Sequence, residues 1–181
     1  KADVALLKKD LTAAVKTEQL PADLTPSLVA AASDYPNSHG CEIDDSSVVP
    51  PTQCSDYGDP NGTQLVVLIG DSHAGMWLGA VNEIAVAHHL RLAFFAKSGC
   101  PLGDYPDYVN PSLKRVYTEC NSWRTALIAQ VVGMHPALIV FGSTARSIAA
   151  AEPNGFETSL KALKADRPRV VSGKSVDLGG R

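Results

Sequence analysis

The sequence lacks both a long hydrophobic run and an excess of positive charge. Its longest apolar stretches, residues 65–69 and 137–141, have the length of strands and fall far short of the ~18 residues that span a bilayer. The 16 lysines and arginines face 19 acidic residues, which gives a formal net charge of −3. A phosphate-backbone binder needs clustered excess cations, so we expect no nucleic-acid partner. With 45% hydrophobic residues the chain can still build an ordinary core.

The sequence also lacks an initiator methionine and the apolar core of a signal peptide, and it begins with Lys1. We therefore expect a segment of a longer protein, whose export signal or membrane anchor lies outside these 181 residues.

Cys-x-x-Cys pairs and Cys/His clusters are absent too, so zinc is not expected, and nothing points to a cofactor. Four cysteines remain, and they allow three pairings. Sequential pairing is favoured, Cys41 with Cys54 and Cys100 with Cys120, because each pair brackets one polar loop. Disulfides indicate an oxidising, extracytoplasmic location.

Hydrophobic spacing divides the chain at about residue 62. Residues 4–20 have the pattern of an amphipathic helix that ends at Pro21. Residues 21–63 are rich in Pro, Asp, Ser and Asn, which predicts an extended lead-in held by the first cysteine pair, and not packed core. We therefore assign residues 1–62 to a lead-in and residues 63–181 to an α/β domain.

The α/β domain is predicted from alternating strand and helix patterns. Apolar β-branched runs mark four strands, and helical spacing marks three helices between them. Helical crossovers make such a sheet parallel, so we expect a three-layer α/β/α sandwich of flavodoxin-like type. The predicted strands are 64–69, 90–96, 137–141 and 169–172, and the helices lie at 74–88, within 112–133 and at 155–165. Chemistry belongs at the carboxyl ends of the strands, in loops 70–73, 97–101 and 142–146.

Ser72 stands where the first strand turns into a helix, within Gly70-Asp71-Ser72-His73. Such a turn can present the hydroxyl beside free backbone N–H groups and the positive end of a helix dipole. The alternative is that Asp71 or Ser72 only caps the helix.

The Gly-Asp-Ser turn resembles the first motif of the SGNH (GDSL-like) hydrolase superfamily. The longer run 68–74, with Trp77 one turn later, is similar to the SGNH domain fused to bacterial acyltransferase-3 (AT3) membrane proteins. Loop 97–101, Cys120 followed by Trp123, and the Pro-rich segment 18–26 agree with that resemblance.

The resemblance implies that Ser72 is the nucleophile and Asp71 its structural neighbour. The backbone N–H groups of Ser72 and Gly99 would form the oxyanion hole. The family's third motif falls on residues 142–145, where its asparagine is missing, so the hydroxyl of Thr144 or Ser143 would replace that donor.

The family's Asp-x-x-His pair, which supplies the acid and base of the triad, is absent from this sequence. His88 and His89 end a helix and His135 precedes a strand, which places all three about 20 Å from Ser72. His73 lies at the correct edge, either as the base or, as we favour, bracing the turn or touching substrate. The domain also has one strand fewer than the usual five. We expect the last strand, Asp and His to lie outside this sequence, which leaves it without a complete triad.

The resemblance predicts an extracytoplasmic acyltransferase anchored through a membrane region outside the chain. Ser72 would take an acyl group delivered by the AT3 domain and pass it to a hydroxyl of a cell-envelope glycan or glycolipid. One alternative is a secreted esterase that passes the acyl group to water. Another is a non-catalytic carbohydrate-binding module with aromatic side chains that stack on sugar. For that role Tyr105 and Tyr108 are expected to be exposed, whereas Trp77 and Trp123 are expected in the core.

Three cations lie in or near the active-edge loops: Lys97, Arg115 and Arg146. They would either hold an anionic substrate or, as we favour, be solvated surface charges.

Overall fold

A computed structural model describes residues 2–35, 37–143, 153–164 and 169–174. The chain forms two compact units, Lys1–Tyr35 and Pro36–Arg181. The first unit contains helix α1, Ala2–Ala14, and the short helix α2, Leu28–Ala31. Helix α1 ends several residues before the predicted Leu20. Its apolar side chains, among them Leu7 and Leu11, are more than half exposed, so little packing supports a longer helix.

The second unit carries the sheet and three longer helices. Its strands are β1 Glu42–Ile43, β2 Tyr57–Gly58, β3 Gln64–Gly70, β4 Leu90–Lys97, β5 Val109–Asn110, β6 Arg115–Val116, β7 Leu138–Ser143 and β8 Arg169–Lys174. Its helices are α3 Ser72–Ala87, α4 Thr118–Gly133 and α5 Pro153–Lys164.

The main sheet has the order β1-β4-β3-β7-β8, and these five strands are parallel. Strand β2 pairs with β4 in the antiparallel direction, on the same edge as β1. Strands β5 and β6 form a separate hairpin. All four predicted strands are confirmed. The short strands were not predicted because two residues are too few to show a periodic pattern.

Helices cover both faces of the sheet. Helix α3 crosses from β3 to β4, and α4 returns over β3 to reach β7, so right-handed crossovers put them on opposite faces. Helix α5 contacts α4 and lies on its side. The core between the layers contains fully buried side chains from β3 and β4, such as Leu68 and Phe94, and Trp123 from α4. The predicted three-layer α/β/α class is confirmed.

Part of the predicted lead-in belongs to this core. Cys41, Cys54 and Tyr57 are buried, and the carbonyls of Cys41 and Cys54 accept hydrogen bonds from the β4 residues Ala96 and Phe94. The prediction that this segment is not packed was wrong for residues 41–58. Without them β4 would be an open edge with unpaired backbone groups. The assignment of 1–62 and 63–181 as the functional division stays a prediction.

Both predicted disulfides are confirmed. Cys41 is bonded to Cys54 within the segment that covers β4. Cys100 is bonded to Cys120, which ties the loop after β4 to the first turn of α4. All four residues are buried.

Two expectations about aromatic exposure were wrong. Tyr105 is buried, because its ring lies against Gly103 and Gly155, where a Cβ would clash with it. Trp77 is 52% exposed on the outer side of α3. Trp123 is buried as expected, and Tyr108 is partly buried.

Candidate active site

The Gly-Asp-Ser turn lies at the point where the sheet reverses its winding. The chain leaves β3 for α3 on one face and leaves the neighbouring β7 for α5 on the other. Such switch points open a crevice at the carboxyl ends of the strands. Gly70 pairs with both Ala96 and Gly142, so the loops after β3, β4 and β7 start at the same level.

Two glycines let the first turn of α3 sit directly on β7. A Cβ on Gly70 would clash with the carbonyl oxygen of Gly142. A Cβ on Gly142 would lie 2.6 Å from the Cα of Ala74. Any side chain at either position would push the Ser72 turn away from the sheet.

Asp71 is the N-cap of α3. Its backbone is extended, and its Oδ1 accepts a 2.8 Å hydrogen bond from the N–H of His73. Its Oδ2 accepts a 2.8 Å hydrogen bond from Ser143 Oγ, and its own N–H donates to the carbonyl of Gly142. Asp71 therefore braces the turn against β7, which fits its predicted place as structural neighbour of Ser72.

Ser72 is the first residue of α3 and is partly exposed. Its hydroxyl makes no hydrogen bond with the part of the chain that the structure describes, so the alternative of a capping role is filled by Asp71 alone. Its N–H also donates to no acceptor among those residues. First-turn N–H groups lack a partner within the helix and favour negative charge. Ser72 thus combines a nucleophilic atom with an available donor.

Gly99, in the loop after β4, is the second predicted donor. Its φ is +60°, and a Cβ there would lie 2.7 Å from Asn110 Nδ2, which donates to its carbonyl. Its N–H has no acceptor within the described residues. The buried Tyr117 hydroxyl donates to the carbonyl of Ser98 at 3.0 Å. That carbonyl shares one rigid peptide plane with the Gly99 N–H, so the bond also fixes the direction of this donor.

Thr144 and Ser143 are the two candidates for the third oxyanion donor. Thr144 lies outside the described residues, and its role stays a prediction. Ser143 is buried, and its hydroxyl donates to Asp71. A hydroxyl has one proton to donate, so in this structure the Ser143 hydroxyl donates to Asp71 and not to an oxyanion.

His73 does not meet Ser72. Its Nδ1 lies 3.2 Å from Asp71 Oδ1 but makes no hydrogen bond with it. Adjacent helical residues point about 100° apart, and no hydrogen bond joins His73 to Ser72. The side chain is about one-third exposed, which leaves it able to touch a substrate.

Two other histidines in the described ranges, His89 and His39, have partners away from Ser72. His89 at the end of α3 contacts Asp59 Oδ2 at 2.8 Å, beside the start of β4. His39 stacks on Tyr57, which pairs with the first half of β4. Both lie toward the amino edge of the sheet, away from Ser72.

Glu42 is a carboxylate beside the first turns of α3 that the sequence analysis missed. It lies on β1, and its Oε2 is 2.5 Å from where a Cβ of Gly75 would be. Gly75 and Ser72 are three residues apart and so share one side of α3. Burial, and then the charge of Asp71, raise the pKa of Glu42. No local pattern revealed this carboxylate, because only the pairing of β1 with β4 brings it to the site.

Lys97 fits neither of its two expected roles, a cation that holds an anionic substrate or a solvated surface charge. It is fully buried, and its Nζ donates to the carbonyls of Asp44 and Ser47 at 2.7 and 2.6 Å. The ammonium lies 5.2 Å from the centre of the Tyr117 ring. Burial lowers the pKa of Lys97, although nearby acidic groups oppose this. Its charge holds the 44–47 turn in place and is not available to a substrate.

Of the other two cations, Arg115 is half exposed and forms a surface ion pair with Glu119 at 2.7 Å. Arg146 lies outside the described residues. Within the ranges that the structure describes, no helix has the length and apolarity to cross a membrane. The same ranges contain no group of His, Cys, Asp and Glu side chains arranged to hold a metal ion.

Comparison with known families assigns the domain. The family model described as "SGNH domain (fused to AT3 domains)" matches residues 34–176. The chain belongs to this SGNH domain family. The match includes both disulfides and all of the strands of the main sheet.

No curated protein matches this SGNH domain. Among solved structures it is similar to the periplasmic domain of a lipopolysaccharide acetyltransferase from Salmonella ser. Paratyphi A, with 16% sequence identity and a TM-score of 0.48. The alignment covers 83% of this chain and 51% of that one. The SGNH domain thus spans about half the length of that structure.

Proposed function

We propose that this SGNH domain transfers an acyl group from an AT3 membrane partner to a hydroxyl of a cell-envelope glycan or glycolipid. The observation that carries the proposal is a set of groups at the carboxyl edge that have no hydrogen-bond partner among the described residues: the Ser72 hydroxyl, the Ser72 N–H and the Gly99 N–H. Fusion to AT3 domains, as the family description has it, and the two disulfides support an extracytoplasmic site of action.

The proposed chemistry proceeds through an ester on Ser72. In the first half, Oγ attacks the carbonyl carbon of the donor, the bond to the leaving group breaks, and the hydroxyl proton leaves with that group. The two N–H groups stabilise the negative oxygen that forms on the way. In the second half, the acceptor hydroxyl attacks the acyl carbon, the bond to Oγ breaks, and the acceptor's proton returns to Ser72.

Asp71 and His73 have supporting roles in this proposal. Asp71 fixes the turn through its bonds to the His73 N–H and to Ser143. His73, with its ring turned to Asp71 and one-third exposed, steadies the turn and touches the substrate. Neither residue is proposed as the base that takes the Ser72 proton, because Asp71 caps the helix and His73 makes no hydrogen bond to Ser72. Because the family is described as fused to AT3 domains, tests of turnover use the full-length gene.

The test compares Ser72→Ala with Ser122→Ala, an exposed serine on α4. Cells that express the intact gene with Ser72→Ala are expected to lose ester-linked acyl groups on envelope glycans by at least about 10³-fold, whereas Ser122→Ala leaves them unchanged. Unchanged acylation in the Ser72→Ala cells would overturn the proposal. In a purified assay, release of the acyl group to water without transfer to an added glycan acceptor would point to an esterase.

A second candidate is a non-catalytic carbohydrate-binding module. The exposure of Trp77, five residues after Ser72 on α3, favours it, because an exposed indole can stack on a sugar ring. On that account Trp77→Ala abolishes glycan binding while Ser72→Ala has no effect on any acylation in the cell.

A further inference from the structure

A polar cleft adjoins the Gly99 donor. It has a volume of about 280 Å³, and it lies between the 44–47 turn and the β5–β6 hairpin. Its lining residues are Asp44, Asp45, Ser98, Gly99, Asn110 and Ser112. We propose that this cleft is the subsite that holds the acceptor, and that the acceptor is a neutral or amine-bearing sugar unit. The role of the bound sugar as acceptor rests on the proposed function, whereas sugar binding to the cleft can be tested without any acyl chemistry.

Buried polar residues hold the walls of the cleft in place. Lys97 anchors the 44–47 turn through two carbonyls, and Tyr117 anchors the carbonyl of Ser98. The side-chain oxygen of Asn110 accepts from the N–H groups of Ser112 and Leu113. Burying an ammonium costs free energy, so its use here points to a turn whose position matters.

Asn110 also supplies a donor that the protein leaves unused. Its side chain is 5% exposed, and it lines the cleft. A carboxamide has two N–H donors, and one of them goes to the carbonyl of Gly99 at 3.2 Å. The other pairs with nothing in the described residues. A buried donor without a partner is uncommon, and a ligand hydroxyl in the cleft would satisfy it.

The remaining polar atoms select a ligand rich in donors. Asp44 uses Oδ1 to accept hydrogen bonds from the N–H and hydroxyl groups of Ser46 and Ser47, which leaves Oδ2 available. The Asp45 carboxylate is exposed and accepts none of the hydrogen bonds within the described ranges. No lining residue is a cation. Two carboxylates repel phosphates and other anions, whereas sugar hydroxyls or an amine would bind to them.

The size of the cleft limits the ligand to about one sugar unit. Pockets for drug-sized ligands occupy roughly 300–1,000 Å³, and this cleft lies just below that range. A ligand seated there reaches Gly99, whose N–H is one of the two proposed oxyanion donors. An acceptor hydroxyl held in the cleft would thus lie near one of the two groups proposed to bind the acyl oxygen.

The test follows backbone amide resonances of the isotope-labelled full chain during titration. The probes are methyl α-D-glucopyranoside and methyl β-D-glucosaminide, with inorganic phosphate and 1-propanol for comparison. We expect saturable shifts at Ser98, Gly99 and Ser112 with at least one glycoside, and none with phosphate. The absence of saturable shifts up to about 100 mM of either glycoside would overturn the inference.

Two variants locate the binding. Asp45→Asn keeps the size of the side chain and is expected to weaken glycoside binding about tenfold, and Ser112→Trp is expected to fill the cleft and abolish it. Asp56→Asn is the matched control, because Asp56 precedes β2, roughly 20 Å away along β4. Binding that Asp45→Asn and Ser112→Trp both leave unchanged would overturn the inference even if shifts are seen.

The outcomes for the cleft and for the proposed function are separable. Ser72 lies outside the cleft lining, so Ser72→Ala keeps glycoside binding if the cleft is the subsite. Loss of cellular acylation in Ser72→Ala without glycoside binding would leave the proposed function standing and defeat this inference. Glycoside binding with acylation that does not depend on Ser72 would defeat the proposed function and leave a sugar site.

Discussion

The two edges of the main sheet use their polar groups in opposite ways. At the amino edge, Asn82 Oδ1 accepts from the N–H of Gly58 at 2.7 Å, and Asp59 receives both His89 and the N–H of Asn61. At the carboxyl edge, the Ser72 hydroxyl and the N–H groups of Ser72 and Gly99 have no partner in the described residues. The hydrogen bonds named at the amino edge stabilise the fold, whereas the groups named at the carboxyl edge are those that the proposed function assigns to substrate binding.

The carboxyl edge nevertheless depends on tight packing beneath it. A Cβ added by Gly142→Ala would meet the Cα, Cβ and N of Ala74 at 3.0 Å or less, and backbone atoms cannot move aside cheaply. We expect Gly142→Ala to lower the free energy of unfolding by about 3 kcal/mol, measured by urea denaturation. Gly79→Ala in α3 meets nothing within 4 Å and is expected to stabilise by about 0.5–1 kcal/mol. Equal midpoints for the two variants would show that the turn does not need this close contact.

A pair of variants sharpens the comparison between the edges. Tyr117→Phe removes the hydroxyl that fixes the Ser98–Gly99 peptide, so we expect about a tenfold lower rate of acyl transfer with an unchanged KM. Asn82→Ala removes a bond of similar kind at the amino edge, and it should cost about 1 kcal/mol of stability with no change in rate. Both quantities are measured on the product of the intact gene. Equal rates of acyl transfer in the two variants would show that a hydrogen bond at the carboxyl edge matters no more for the reaction than one at the amino edge.

The smallest effect concerns Glu42. Because its pKa is raised by burial and by Asp71, the folded protein holds this proton more tightly than the unfolded chain does. Its contribution to stability is therefore full below the ordinary pKa of 4.5 and is lost as pH rises through the raised value. The free energy of unfolding of Glu42→Gln should therefore rise relative to that of the native protein as the pH increases.

This group is partly solvated, so the gain at pH 7.5 is expected to stay below about 1 kcal/mol, or roughly 2–4 °C in Tm. Thermal unfolding at pH 4 and at pH 7.5 measures it. Glu83→Gln, at an exposed position on α3, serves as control and should show the same Tm difference from native at both pH values. If the Tm difference between Glu42→Gln and the native protein is the same at both pH values, as expected for the control, the raised pKa is contradicted.

The sequence predicted those features whose causes are local. The four main strands follow from continuous apolar runs, and the Gly70-Asp71-Ser72 turn lies within one short motif. Glu42 and Lys97 could not be assigned in this way. Lys97 binds carbonyls 53 and 50 residues away, and Glu42 reaches α3 only because a two-residue strand pairs with β4. Strands that short leave no periodic signal, so the contacts became visible only in the fold.

The account depends most on Ser72 as the atom that carries the acyl group. The most direct measurement is peptide mapping by mass spectrometry of the intact gene product, quenched within seconds of exposure to an activated acetyl ester. We predict an added acetyl group on the peptide that contains Ser72, absent in Ser72→Ala and present in Asn82→Ala. Acetylation of another residue in an enzyme that stays active as Ser72→Ala would contradict the account.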